Sequence, residues 1–119
     1  MDVLGERSFK TATCKLVSSI ALPVRMRPMV RELTMLYVPH DDRKKGYGSQ
    51  LLHDVCREVD SQNLTLLLQV EESDKERLCA WYTRFGFQPI QAKPILMARV
   101  PGSAPMAASP ISSAIRKTH

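Results

Sequence analysis

Long apolar runs are missing from this chain. Nothing approaches the roughly 20 residues needed to cross a bilayer, so no membrane span is expected. The start of the chain has no basic stretch followed by an apolar run and a small-residue cleavage site, which argues against secretion. Cysteine is scarce: Cys14, Cys56 and Cys79 are odd in number, far apart and form no CxxC pair. They fit reduced thiols in a cytoplasmic protein, and neither a disulfide frame nor a metal site is expected. Aromatic residues make up 6% of the chain, which disfavours a surface that stacks on nucleic-acid bases. No internal repeat is present.

Two familiar phosphate-binding signatures are absent as well. A P-loop needs four residues between its first glycine and a Gly-Lys-Ser/Thr. A dinucleotide fingerprint needs a third glycine and an acidic residue about twenty positions on. Asp60 and Glu71 stand in that region, but not at the end of a suitable strand.

What is there is ordinary in bulk and uneven in detail. The 119 residues suffice for one domain with one core, and 44% hydrophobic with 24% charged residues fits a soluble globular protein. The net charge is +5 and the pI about 9.4. Charge informs about partners only where it clusters. The clusters are Arg25/Arg27/Arg31, Arg43/Lys44/Lys45 and Arg116/Lys117. The middle one runs into Gly46-Tyr47-Gly48, between an apolar strand-like run at 31–38 and a helix-like run at 48–61. Strand, glycine turn and helix together present free backbone N–H groups and a helix dipole to an anion. A solvated basic turn that happens to hold two glycines is the competing account.

Along the rest of the chain, Phe9, Ala12, Leu16, Val17 and Ile20 share a helical face, so residues 8–21 read as a helix stopped by Pro23. Residues 24–30 read as a connector or short edge strand. Residues 64–70, apolar on both faces, read as a central strand parallel to 31–38. Ser73 and Glu76 predict a capping box, opening a helix with Leu78, Trp81, Tyr82 and Phe85 on one face. Gly86 closes it in the left-handed conformation. Residues 87–100 hold one or two strands interrupted by Pro89 and Pro94, the better one at 95–100. Residues 1–100 form the domain, and 101–119, rich in Pro, Ser and Ala, read as a disordered tail.

Val38, Arg43, Gly46 and Gly48, followed by Trp81-Tyr82-Thr83-Arg84-Phe85-Gly86-Phe87, resemble the two motifs of the GNAT superfamily of acyl-CoA-dependent N-acetyltransferases. The resemblance covers about residues 31–100. It implies an α/β fold, a mixed α+β sheet of the GNAT kind, here abbreviated at its N-terminal side, and acetyl-CoA as co-substrate. The cofactor would lie along Tyr37, Val38, Arg43, Lys44, Lys45, Gly46, Tyr47, Gly48 and Ser49, with the pyrophosphate on the backbone amides of the turn. The amide near Val38 would donate to the oxyanion. Tyr82 would protonate the leaving sulfur, unless it is simply one more member of the core stripe. Glu71 and Glu72 are the candidates for accepting the proton of the amine, with an ordered water as the alternative. His40 and His53 read as solvent-facing and His119 as tail.

The pattern departs from the family in three places. Pro39 comes one residue after Val38 instead of two, Lys75 replaces an asparagine, and the part before residue 31 is short. The acceptor site is then either open or completed by a second copy in a homodimer, which would also cover the sheet edge. The function expected is acetyl transfer to a primary amine. An inactive CoA-binding regulator is the alternative, and a basic nucleic-acid-binding domain the third.

Overall fold

The computed structural model describes residues 3–18 and 24–102, apart from the side chain of Arg27. Six strands form one mixed sheet: β1 (Gly5–Phe9), β2 (Ala12–Val17), β3 (Val30–Tyr37), β4 (Thr65–Gln69), β5 (Gln88–Ala92) and β6 (Ile95–Arg99). Their spatial order is β1-β2-β3-β4-β6-β5. Helix α1 (Tyr47–Ser61) links β3 to its parallel neighbour β4, and α2 (Lys75–Thr83) follows β4. All other strand pairs are antiparallel.

The first element corrects the sequence reading. Residues 8–21 contain no helix among those described: β1 and β2 make a hairpin, with Phe9 opposite Ala12 and only Lys10 and Thr11 between them. Lys10 takes the left-handed conformation, φ 55, without the glycine or asparagine that normally advertises such a turn. Within β2, Ala12, Cys14 and Leu16 are buried while Thr13 and Lys15 are exposed. That is a period of two. The helical spacing of Phe9, Ala12 and Leu16 coincided with it, and pairing to β3 decided between them. Ile20, the last member of that expected face, lies outside the described residues. Residues 24–29 form a 3-10 turn instead of an edge strand.

Alternation along each strand gives the sheet two unlike faces. Ala12, Cys14, Leu16, Leu33, Leu66, Leu68 and Met97 are buried against Leu51, Leu52, Val55, Cys56 and Val59 of α1. Tyr82 of α2 and Phe87 join the same cluster, so both helices lie on this face. The opposite face carries Lys15, Val17, Glu32, Thr34, Leu67 and Ala98, half-buried or exposed, and no described helix covers it.

Two bidentate ion pairs pin α1 to the sheet. Arg7 of β1 donates to Glu58 from Nε and Nη2, both at 2.7 Å. Arg99 of β6, 3% exposed, donates to both oxygens of Asp60 at 2.7 and 3.1 Å, and from Nε to the Phe85 carbonyl at 2.6 Å. Each partner guanidinium holds its carboxylate: Glu58 titrates below its ordinary range chiefly through the Arg7 hydrogen bond. Asp60 is lowered too, because hydrogen bonds from Arg99 and the Gly102 amide outweigh a larger single opposing effect, burial.

Pro89 sits within β5, an edge strand with an irregular register at that point, where proline costs no ladder hydrogen bond. Pro94 lies in the turn before β6. Residues 103–119, most of the expected tail, lie outside the described residues. No described helix is long and apolar enough to cross a membrane.

Candidate functional site

The site begins with a fault in β3. Lys15 of β2 pairs with Thr34, but Thr13 pairs with Tyr37, so β3 spends one residue more than β2 over that interval. Met35 supplies it, at φ 56. A bulge of this kind bends the strand and sharpens its twist. On its other edge β3 pairs with β4 only from Val30–Thr65 to Leu33–Leu68. Beyond that point the two parallel strands part. The opening is a cleft of about 830 Å³, lined from the helix-covered face by Leu33 and Leu68 and from the open face by Glu32, Thr34 and Gln69. It passes through the sheet.

At one end of the cleft stands the start of α1. Gly46 occupies the N-cap at φ 81, with no side chain capping the helix. Among the described residues nothing accepts a hydrogen bond from the amides of Gly46, Tyr47, Gly48 or Ser49, and these are the orphan donors of a helix start. The amide of Val38 likewise has no described acceptor. At Gly48 a Cβ would lie 3.1 Å from Val38 Cγ2 and 3.8 Å from the Trp81 ring, so any larger residue there presses on the Val38 side chain. At Gly46 nothing lies within 4 Å, and the left-handed backbone is the reason.

The basic residues of the turn are partly engaged already. Arg43 Nε donates to the Val38 carbonyl at 2.9 Å, and its guanidinium carbon lies 6.0 Å from the Tyr37 ring centroid. Lys45 is held by Asp42 at 2.8 Å, an exposed pair that raises its own pKa and lowers that of Asp42. Lys44 is exposed. Of the nine positions expected along the cofactor, Tyr37, Val38, Arg43, Gly46, Gly48 and Ser49 line the cleft. The side chain of Tyr47 instead packs edge-on against Phe9, 6.0 Å between centroids.

Helix α2 supplies the other wall. The expected capping box does not form: a 3-10 turn occupies Glu72–Asp74, Asp74 is the N-cap and no side chain caps the helix. Asp74 receives Arg77 Nε at 2.6 Å instead, so the acidic cap is spent on a side-chain pair. Gly86 adopts φ 97 beyond the helix end. Trp81 ties the two helices together by donating from Nε1 to Ser49 Oγ at 3.2 Å. Tyr82 is 7% exposed, between Trp81 and Phe87 at centroid distances of 5.1 and 5.6 Å. Burial pushes its phenol up to about 12, against a smaller opposing effect of Arg77. Its hydroxyl has no described hydrogen-bond partner, yet among the described residues no fully buried side-chain polar atom goes unpaired. The hydroxyl therefore opens on the cleft it lines.

The two expected proton acceptors part company. Glu71 lines the cleft; Glu72 does not, and pairs with Lys75 at 3.2 Å. Glu32, Gln69, Asp74 and Arg77 also line it, and sequence reasoning had passed over them. Strand alternation opposite Leu33 was the signal that put Glu32 and Thr34 on one face. His40 and His53 are exposed and stand off the cleft. No group of three or more metal-ligating side chains occurs among the described residues.

A bulged strand splaying from a parallel neighbour, over a glycine-capped helix start and beside a buried tyrosine, is the arrangement of the GNAT fold, and solved structures of that class superpose on this chain. The S18-alanine N-acetyltransferase of ribosomal proteins from Escherichia coli matches 81% of this chain and 64% of its own length, at TM-score 0.61 and 20% identity. A GNAT-family acetyltransferase from Staphylococcus aureus Mu50 matches 76% of this chain and 59% of its own, at 0.58 and 19%. PaiA N-acetyltransferase from Thermoplasma acidophilum, solved with coenzyme A, matches 76% and 53%, at 0.57 and 17%. The chain thus spans less than two thirds of the length of each of these. Residues 15–95 match the FR47-like protein family, and the chain belongs to it. No curated protein gives a significant match.

Proposed function

We propose that this protein moves an acetyl group from acetyl-CoA to a primary amine by direct attack. The observation that carries the reading is the parting of β3 and β4 beyond Leu33 and Leu68, with unpaired amides on one side of the opening and an unpartnered phenol on the other. The residues present fit coenzyme A: the diphosphate would rest on the amides of Gly46 to Ser49, approached closely because Gly48 has no side chain. Arg43 and Lys44, with Lys45 beside Asp42, add positive charge to that end. Backbone makes most of the contact, so single cations matter less than the glycines.

Acetyl-CoA supplies the thioester whose C–S bond breaks as the C–N bond to the amine forms. The Val38 amide, which has no described acceptor, would donate to the carbonyl oxygen as it gains charge. The amine must shed a proton, which Glu71 or a water beside it would accept. Tyr82 gives its proton to the departing sulfur. A phenol pushed up to about 12 stays protonated at neutral pH and donates a hydrogen bond to the sulfur as charge builds up there. Because a thiolate with a reference pKa of about 8.5 is the weaker base, the proton passes over only as Tyr82 is re-protonated from solvent. A homodimer, in which a second copy covers part of the helix-free face of the sheet, belongs to the same proposal.

Calorimetry with coenzyme A, followed by thiol release with acetyl-CoA and a set of amines, tests the reading. Micromolar binding with turnover is expected. In Tyr82→Phe, affinity should stay near normal while turnover falls at least tenfold, about 1.4 kcal/mol of barrier. An unchanged rate would make Tyr82 packing alone. Tight coenzyme A binding with no turnover on any amine would favour a CoA-binding regulator.

A further inference from the structure

The ionisable groups lining the cleft are unevenly compensated. Arg77 and Asp74 pair with each other. Arg43 is held on the Val38 carbonyl at the α1 end. Glu32 and Glu71 remain, and the carboxylate of neither makes an ion pair or hydrogen bond with any described residue while both residues line the cleft. Glu32 belongs to the helix-free face, in register with Val17 of β2 on one side and Leu67 of β4 on the other. Its setting is a half-buried, largely apolar one. Lys15 is a diagonal neighbour across β2 yet forms no ion pair with it. The same cleft holds an independent sign of a ligand: the hydroxyl of Tyr82, on a residue 7% exposed, points into it unpartnered.

We propose that the acceptor is a cationic amine that enters from the helix-free face and is held by Glu32 and Glu71. The inference rests on the acetyl-transfer reading and names its substrate class. Amines arrive at neutral pH as ammonium ions. A carboxylate without a protein partner in a half-desolvated groove gains most from such an ion. Half-buried Glu32 together with exposed Glu71 selects an acceptor with a second positive charge, such as a diamine or a basic peptide segment, over one whose far end is anionic. The cleft is then polar along its length, cationic where the diphosphate rests and anionic where the amine enters.

Pentylamine, 1,5-diaminopentane and 5-aminopentanoate share a chain length and differ only in far-end charge. With acetyl-CoA, kcat/KM should be highest for the diamine and at least tenfold lower for the aminopentanoate, with pentylamine between. Titration of the same amines into protein saturated with coenzyme A should give the same order of affinity, and it decides the question if turnover is absent. In Glu32→Gln with Glu71→Gln the spread should shrink below threefold while coenzyme A affinity is unchanged. Should Glu32→Gln fail to fold, Glu71→Gln alone, on an exposed loop, should narrow the spread. An anionic amine bound as well as the diamine, no binding by any of the three, or an order that survives the substitutions would overturn the proposal while acetyl transfer stands. Absence of coenzyme A binding would take both down.

Discussion

The two halves of β3 make an instructive contrast. Val30 to Leu33 are all paired with β4, and Glu32 and Leu33 with β2 as well, so this half of the strand is held by the sheet. Thr34 to Tyr37 keep β2 on one edge and have lost β4 on the other. Met35 is the residue at which this happens, and it is 76% exposed. A strand held on both sides is structure, whereas one held on a single side, next to a helix start with free amides, is an offer to a ligand. The same eight residues do both jobs because one extra residue bends the second half away.

Substitutions should therefore separate by region. On the paired side, Asp60→Ala removes the carboxylate that faces a guanidinium 3% exposed and should cost about 3 kcal/mol of stability. Chemical denaturation reads this, and a loss under 1 kcal/mol would mean the Phe85 carbonyl suffices. Next comes Gly48→Val, which pushes a side chain into Val38 and Trp81 at the mouth of the opening. It should destabilise by about 1–3 kcal/mol and weaken coenzyme A at least tenfold by calorimetry. Unaltered affinity would place the diphosphate elsewhere. Arg43→Ala, on the splayed side, should weaken coenzyme A by less than fivefold; a hundredfold loss would overturn the view that backbone carries the contact.

A separate effect is on the pH dependence of stability. Burial raises Cys14 and Cys56 to about 11 and Tyr82 to about 12. Each contributes stability that is complete below its unfolded value, about 9 for the thiols and about 10 for the phenol, and is lost as pH rises through the folded one. The melting temperature should decline from pH 9 to 12. Tyr82→Phe should flatten the part above pH 10, and an identical profile in that variant would mean the phenol is not desolvated.

Much of the fold was legible from residue 31 onward. The helix expected at 48–61 and the strands expected at 64–70 and 95–100 fell within a residue or two of α1, β4 and β6. The βαβ unit followed from connection length alone. The N-terminal hairpin was misread because Phe9, Ala12 and Leu16 satisfy a helical spacing, while the turn at Lys10 and Thr11 lacks glycine. Ser73 and Glu76 had the letters of a capping box, but Asp74 lies nearer the helix start and took its place. At the site, the glycines, Arg43 and Tyr82 were visible as a motif. Glu32 was not, since a lone carboxylate in an apolar strand announces nothing until its neighbours across the sheet are known.

Local chemistry by itself fixed where the chain must turn tightly, which stretches bury an apolar face, and that a basic glycine turn opens a helix. These depend on residues a few positions apart. Which backbone groups go unpaired, which carboxylates lack a partner, and that a tyrosine of one helix meets the gap between two strands were settled only by packing. Those are properties of residues dozens of positions apart, brought together by the sheet register and the single bulge that interrupts it.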